Sequence, residues 1–186
     1  MSNFTFCGNE IDVTRIKNDV NGNPRYVIHF LAVYQHKLAK AYKETFITKA
    51  FDTGYDFACL LGNRAGFKRF HNKQYGGGLV FQSYNVQQDL NNLERAIDDY
   101  LNDFYFIEVT DTFAGECNYC WLHRYLVYAK NSRQAMLKVA KYEGYAVRRD
   151  GWRFVGKNAC IAIYQAWDES FTSAVNSGSL KDYKLI

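Results

Sequence analysis

The period of the apolar positions changes several times along this chain, and each change marks an element. In "EIDVTRIK" (10–17), Ile11, Val13 and Ile16 sit near polar neighbours. "RYVIHFLAV" (25–33) is dense in β-branched and aromatic residues. Between them, "NDVNGNP" holds an Asn-Gly turn signal, so residues 10–33 predict a β-hairpin. Residues 35–50 support two readings. Leu38, Tyr42 and Phe46 have helical spacing, while "TFIT" has strand chemistry. A short helix is predicted around 53–63, with Phe57, Leu60 and Leu61 on one face and Gly62 and Gly66 near its end. "FKRFH" (67–71) and "GLVFQSY" (78–84) read as strands.

The strongest helical period runs through "NVQQDLNNLERAIDDYLND", where Val86, Leu90, Leu93, Ile97 and Leu101 form one stripe. Asn85 with Gln88 has the form of a capping box. Strands follow at 103–109 and 119–129, then a helix at 131–144 with an Asn/Ser start and a Gly stop. Residues 145–156 and 159–167 read as a further hairpin. The Ser-rich tail from Asp168 is expected to be loose, with Leu180 and Tyr183 able to dock. The element order is that of an α+β fold: mainly antiparallel sheets with two or three helices, divisible into sub-domains at 1–103 and 104–186.

Composition narrows the class. Apolar residues make up 48% of the chain, enough for a core. No apolar run approaches the ~20 residues of a membrane span, and "MSNFTFCGNEIDV" lacks the form of a signal peptide. The 5 cysteines have no framework spacing, which fits a reducing compartment. The expected location is therefore cytoplasmic. A net charge of +4 hides a segregation, because residues 86–116 carry one Lys/Arg against eight Asp/Glu while both flanking blocks are basic. Asp98, Asp99 and Asp103 stand at the C-terminal end of the predicted helix, where the dipole is already negative, at a cost of roughly 0.3–1 kcal/mol each at a surface. Either a cation of the same chain offsets them or they face a basic partner.

Other candidate chemistry is thinner. The Gly76–Gly78 run, after "FHNKQY", is either a hairpin turn with a bulge or an anion-binding nest near His71 and Lys73. It is not a P-loop, since no Gly-Lys-Ser/Thr follows. "CNYCWLH" makes Cys117, Cys120 and His123 a weak zinc candidate that lacks a second ligand pair. No nucleophile elbow, metal-helix or dinucleotide motif is present, so no cofactor and no enzymatic activity are expected. "RRDGWRF" sets Arg148, Arg149 and Arg153 around Trp152. "FKRFHNKQY" adds Lys68, Arg69 and Lys73. Cations beside rings are the chemistry of a single-strand nucleic-acid grip, and equally of a solvated hairpin.

"TRIKNDVNGNPRYVIHFLAV" and "YGGGLVFQSYN" resemble small accessory proteins of bacteriophages and mobile elements of Gram-negative bacteria, over about the first 85 residues. "CWLHRYLVYAK" is a weaker echo. The resemblance implies an accessory protein working in an infected cell, of the kind that includes anti-CRISPR proteins, and brings no catalytic residues with it. The reading that follows is a non-enzymatic inhibitor that occludes a host defence complex. Asp89, Glu94, Asp98, Asp99 and Asp103 would meet phosphate-binding cations of the target, with Tyr100 and Trp152 as aromatic anchors. The alternative is a nucleic-acid module using the Arg/Trp hairpin. A homodimer is compatible with the unpaired strand edges.

Overall fold

The computed structural model describes residues 3–47, 51–110, 122–144, 146–147, 153–156, 159–165 and 171–186. Trp152, Arg148, Arg149, Cys117 and Cys120 lie outside them, as does the side chain of Arg153. The chain is α+β, in two compact units, Met1–Leu101 and Asn102–Ile186.

The first unit opens with a hairpin that the sequence pattern did not predict, β1 (Phe4–Phe6) paired with β2 (Asn9–Ile11). Cys7 and Gly8 turn it with φ of 50° and 74°. β3 (Val13–Ile16), β4 (Arg25–His29), β5 (Lys68–Asn72) and β6 (Gly76–Gln82) form an antiparallel sheet in the order β3-β4-β6-β5. The strand expected to run to Val33 stops at His29, and Phe30–Gln35 is a 3-10 helix. The His29 ring accepts a hydrogen bond from the Leu31 N–H at 3.3 Å, which caps that helix. The ambiguous stretch resolves into helix α1 (Lys37–Phe46), followed by α2 (Phe51–Arg64) and α3 (Val86–Asn102). Leu60 departs from its expected face and is exposed, while Tyr55, Phe57, Ala58, Cys59 and Leu61 of α2 are buried.

Cross-strand partners share a face of a sheet. Ile28 pairs Leu79 and Tyr26 pairs Phe81, and that face is the core side, where Leu79 meets Gly62 of α2 and Phe81 stacks on Phe67 at 4.2 Å. Leu90, Leu93 and Ile97, from the predicted stripe of α3, are fully buried. Asn85 caps that helix as expected: its side-chain oxygen accepts from the Gln88 N–H at 3.2 Å. The reciprocal arm of the box is replaced by Ser83, whose hydroxyl accepts from the Asn85 N–H at 3.0 Å.

The glycine run lies within β6, with the turn at Lys73–Tyr75 before it. Gly76, Gly77 and Gly78 face Asn72, His71 and Phe70 in the ladder, so the run is a strand start and not an anion nest. Gly76 has φ of 71°. A Cβ on Gly78 would lie 2.5 Å from the Ile28 carbonyl oxygen, so the two backbones approach too closely there for any side chain.

The second unit is a six-stranded sheet in the order β12-β8-β7-β11-β10-β9. Its strands are β7 (Phe104–Thr110), β8 (Leu122–Tyr128), β9 (Ala146–Val147), β10 (Arg153–Gly156), β11 (Ala159–Gln165) and β12 (Lys184–Leu185). All pairings are antiparallel except β12 with β8. Helix α4 (Ser132–Glu143) packs Ala135, Met136, Val139 and Ala140 on Ile107, Val109, Tyr125 and Val127. The tail expected to be loose is ordered: α5 (Phe171–Ser177) and a 3-10 turn lead into β12. Its rings cover the other side of β7, with Phe171 at 5.9 Å from Phe104 and Tyr183 at 4.9 Å from Phe106. No helix among the described residues is long and apolar enough to cross a membrane.

Candidate functional site

The acidic residues of α3 do not gather on one surface. At about 100° per residue, Glu94 and Asp98 fall on one flank of the buried stripe, Asp89 on the other, and Asp99 on the outer face. Asp103 follows the helix and is exposed in the turn that opens the second unit.

Glu94 and Asp98 are engaged by their own chain. The Glu94 carboxylate accepts a short hydrogen bond from the Cys7 N–H, which holds the β1–β2 turn against α3. Burial, and then the Glu94 charge, push the Cys7 thiol up to about 12. Asp98, half exposed, lies 3.2 Å from Nε2 of the buried His36. Burial pulls His36 below its ordinary range, against the opposing pull of Asp98 and Glu94. The ring is therefore neutral near pH 7 and donates Nε2–H to Asp98, while its Nδ1 has no hydrogen-bond partner among the described residues. A neutral imidazole leaves the charge of Asp98 uncancelled. No described Lys or Arg comes within 4.0 Å of a carboxylate oxygen of Asp89, Asp98, Asp99 or Asp103.

Tyr100, expected as an aromatic anchor for a partner, is a core residue at 9% exposure. The Arg64 guanidinium lies 4.3 Å from its ring centre and Phe57 packs at 6.5 Å. The position is one step from the Ile97–Leu101 stripe, so the period that buried its neighbours buries it too.

The basic cluster of β5 divides by the alternation of the strand. Arg69 turns to the core side, where it pairs with Asp56 at 3.0 Å and lies 4.7 Å from the ring centre of Tyr55. Lys68 turns to the opposite face, and Lys73 is exposed in the β5–β6 turn. Lys68, Arg25, Gln82, Asp19 and Asp89 line a cleft of about 410 Å³ at the end of the sheet, whose lining also takes in Phe67 and Phe81 from the core side. A second hollow of about 440 Å³, lined by Asn23, Tyr84, Asn85 and Gln88, shares Gln82 and Asp89 with it. Sequence reasoning placed Lys68 and Asp89 in separate hypotheses and missed Arg25, Gln82 and Tyr84. The period-2 alternation of β4 and β6 was the signal that sets Arg25 and Gln82 on one face, together with Val27 and Val80.

In the second unit, His123, the weak metal candidate, has its Nδ1 2.8 Å from the Glu143 carboxylate, which also accepts from the Tyr125 hydroxyl. Among the described residues no group of three or more His, Cys, Asp or Glu has the arrangement of a metal site.

Residues 4–147 match the family model described as Staphylococcus phage terminal repeat-encoded protein TreK. The chain belongs to that family. It is thus a phage-encoded accessory protein, as the resemblance implied; the family is named for phages of Staphylococcus, a Gram-positive genus, and lends no support to the expected Gram-negative setting. No curated protein and no solved structure matches the chain.

Proposed function

We propose that this member of the TreK family acts without catalysis in the host cytoplasm, by binding a host protein that itself holds nucleic acid. The contact would be made with the acidic end of α3, where carboxylates take the place of phosphates on the target's cations. A defence complex of the kind met by anti-CRISPR proteins is the target class this reading favours. The observation that carries it is the charge around Asp98 and Asp99. The one described partner of Asp98 is a neutral imidazole, and Asp99 is exposed with no described cation within 4.0 Å.

The test is affinity capture from a Staphylococcus lysate, with the wild-type chain beside Asp98→Asn/Asp99→Asn and Asp103→Asn. Expected is capture of a nucleic-acid-binding protein, its release by competing DNA or RNA, and its loss with the double variant. A captured partner held equally by the double variant, or one that nucleic acid does not displace, overturns the reading.

A further inference from the structure

We infer that the face of the β3-β4-β6-β5 sheet opposite α2 binds single-stranded nucleic acid. This site is separate from the acidic end of α3, and neither proposal depends on the other.

The register assembles it. Arg25 pairs with Gln82, and Lys68 pairs with Val80 two positions along β6, so Arg25, Gln82, Val80 and Lys68 all project from one face. Phe70 stands two residues beyond Lys68 on the same face of the edge strand, half-buried. With strands spaced about 4.8 Å and a two-residue offset of about 7 Å along β6, Arg25 and Lys68 lie about 12 Å apart across the sheet, a separation that their long side chains can narrow to reach neighbouring phosphates. Neither cation has a described carboxylate oxygen within 4.0 Å. The field of Arg25 does help to hold the Asp19 carboxyl below its ordinary range, behind the larger effect of the Asn23 side chain.

Tyr84 closes the face at its far end. Its side chain is 84% exposed, yet its hydroxyl is pinned to Asn23 Oδ1 at 2.8 Å. A ring held by its polar tip and left open on its faces is a stacking surface. The hollow that it lines also takes in Gln82, Gln88 and Asp89, whose side chains carry acceptor oxygens. Acceptors repel phosphate but take the exocyclic amino groups of bases. A cleft that mixes paired cations, an open ring and amide or carboxylate acceptors fits a nucleotide strand better than a bare anion. Duplex bases are already stacked and paired, which leaves Tyr84 and Phe70 nothing to hold, so the occupant is single-stranded.

The test is fluorescence anisotropy of the full chain with labelled single-stranded RNA and DNA of mixed sequence, and with the matching duplexes, at several salt concentrations. Expected is salt-dependent binding that prefers single strands. Arg25→Ala/Lys68→Ala should weaken it about tenfold or more and lower the salt slope by about 1.4, for two phosphates at about 0.7 each. Tyr84→Ala should weaken it about fivefold or more with the slope unchanged. Lys68→Glu, at an exposed site, gives the same direction if Arg25→Ala disturbs folding by circular dichroism. Absence of single-strand binding at low salt, equal affinity for duplex, or single-strand affinity unchanged in the Lys68 variants overturns the proposal. So does binding lost only with Arg148→Ala/Arg149→Ala, which would place the strand on the second unit.

Discussion

Replacing Gly78 by alanine tests the reading of the glycine run, because the three glycines answer to different physics. A Cβ at Gly78 would stand 2.5 Å from the Ile28 carbonyl oxygen and 3.1 Å from Val27 Cγ1. Carbon–oxygen contacts settle near 3.3 Å, so β4 and β6 must part by roughly 0.8 Å at the middle of the sheet. Overpacking of this kind costs about 1–3 kcal/mol, and one weakened ladder bond adds about 1 kcal/mol. Removing a glycine from a strand returns about 0.5–1 kcal/mol. The net expectation is a loss of about 1–3.5 kcal/mol, a little over 2 kcal/mol at the middle of these ranges. At about 4–8 °C per kcal/mol for a unit of this size, the first unit should melt roughly 10–20 °C lower. Gly76→Ala meets open space but keeps φ at 71°, so it should lose about 1–2 kcal/mol. At Gly77 a Cβ would make an ordinary contact 3.5 Å from the Tyr55 ring, so Gly77→Ala should be neutral or slightly stabilising. Urea and thermal unfolding followed by far-ultraviolet circular dichroism rank the three, and hydrogen exchange at the amides of Val27, Ile28, Leu79 and Val80 localises the loss. A Gly78→Ala protein as stable as Gly77→Ala would refute the close approach of the two strands.

Two further outcomes follow from local chemistry. Burial holds His36 below 6.5, so above that pH the ring is neutral in both states; below it the unfolded chain takes the proton first and stability falls with pH until the native ring titrates. His36→Gln should flatten this part of the curve below about pH 6.5, read from urea midpoints, and an unchanged slope would show that His36 does not titrate as described. Asn131 accepts from the Gln134 N–H at 2.9 Å and caps α4, so Asn131→Ala should cost about 1 kcal/mol and Asn131→Asp much less, measured by thermal unfolding.

The elements easiest to read were those in which one short-range rule decides the outcome. The α3 stripe needs only its 3.6-residue period, and Asn85 and Asn131 needed only the preference of a helix start for a side-chain acceptor. The elements misread were those where a cap without a sequence signal, or a contact from far along the chain, decides between two local options. β propensity runs unbroken from Arg25 to Val33, and what stops the strand at His29 is a ring nitrogen capping Leu31. The β1–β2 turn carries a positive φ on Cys7, a residue type that gives no turn signal, and it is held by Glu94 from far along the chain. The tail looked loose because it has few apolar residues, but Phe171, Leu180 and Tyr183 are all buried, and three well-placed rings or branches suffice to seat a short segment. The open-face cleft was illegible for a related reason: Arg25, Lys68 and Tyr84 come together only through strand register.

The acidic stretch shows how linear spacing misleads about charge. Counted along the chain, Glu94, Asp98, Asp99 and Asp103 look like one cluster with one purpose. Wound onto a helix, they separate into different tasks. Glu94 fastens the β1–β2 turn, and Asp98 holds the buried His36 while still presenting a half-exposed charge. Asp98→Asn therefore alters both a surface charge and a buried hydrogen bond, and a binding defect in that variant alone would not separate the two. Asp99 is exposed, has no described cation partner and supports nothing in the core, so Asp99→Asn removes charge and little else. If electrostatic occlusion is the mechanism, Asp99→Asn must weaken capture of the target while leaving the melting temperature unchanged. A defect confined to Asp98→Asn, accompanied by a lower melting temperature, would instead mean that the helix end matters through the fold it holds together.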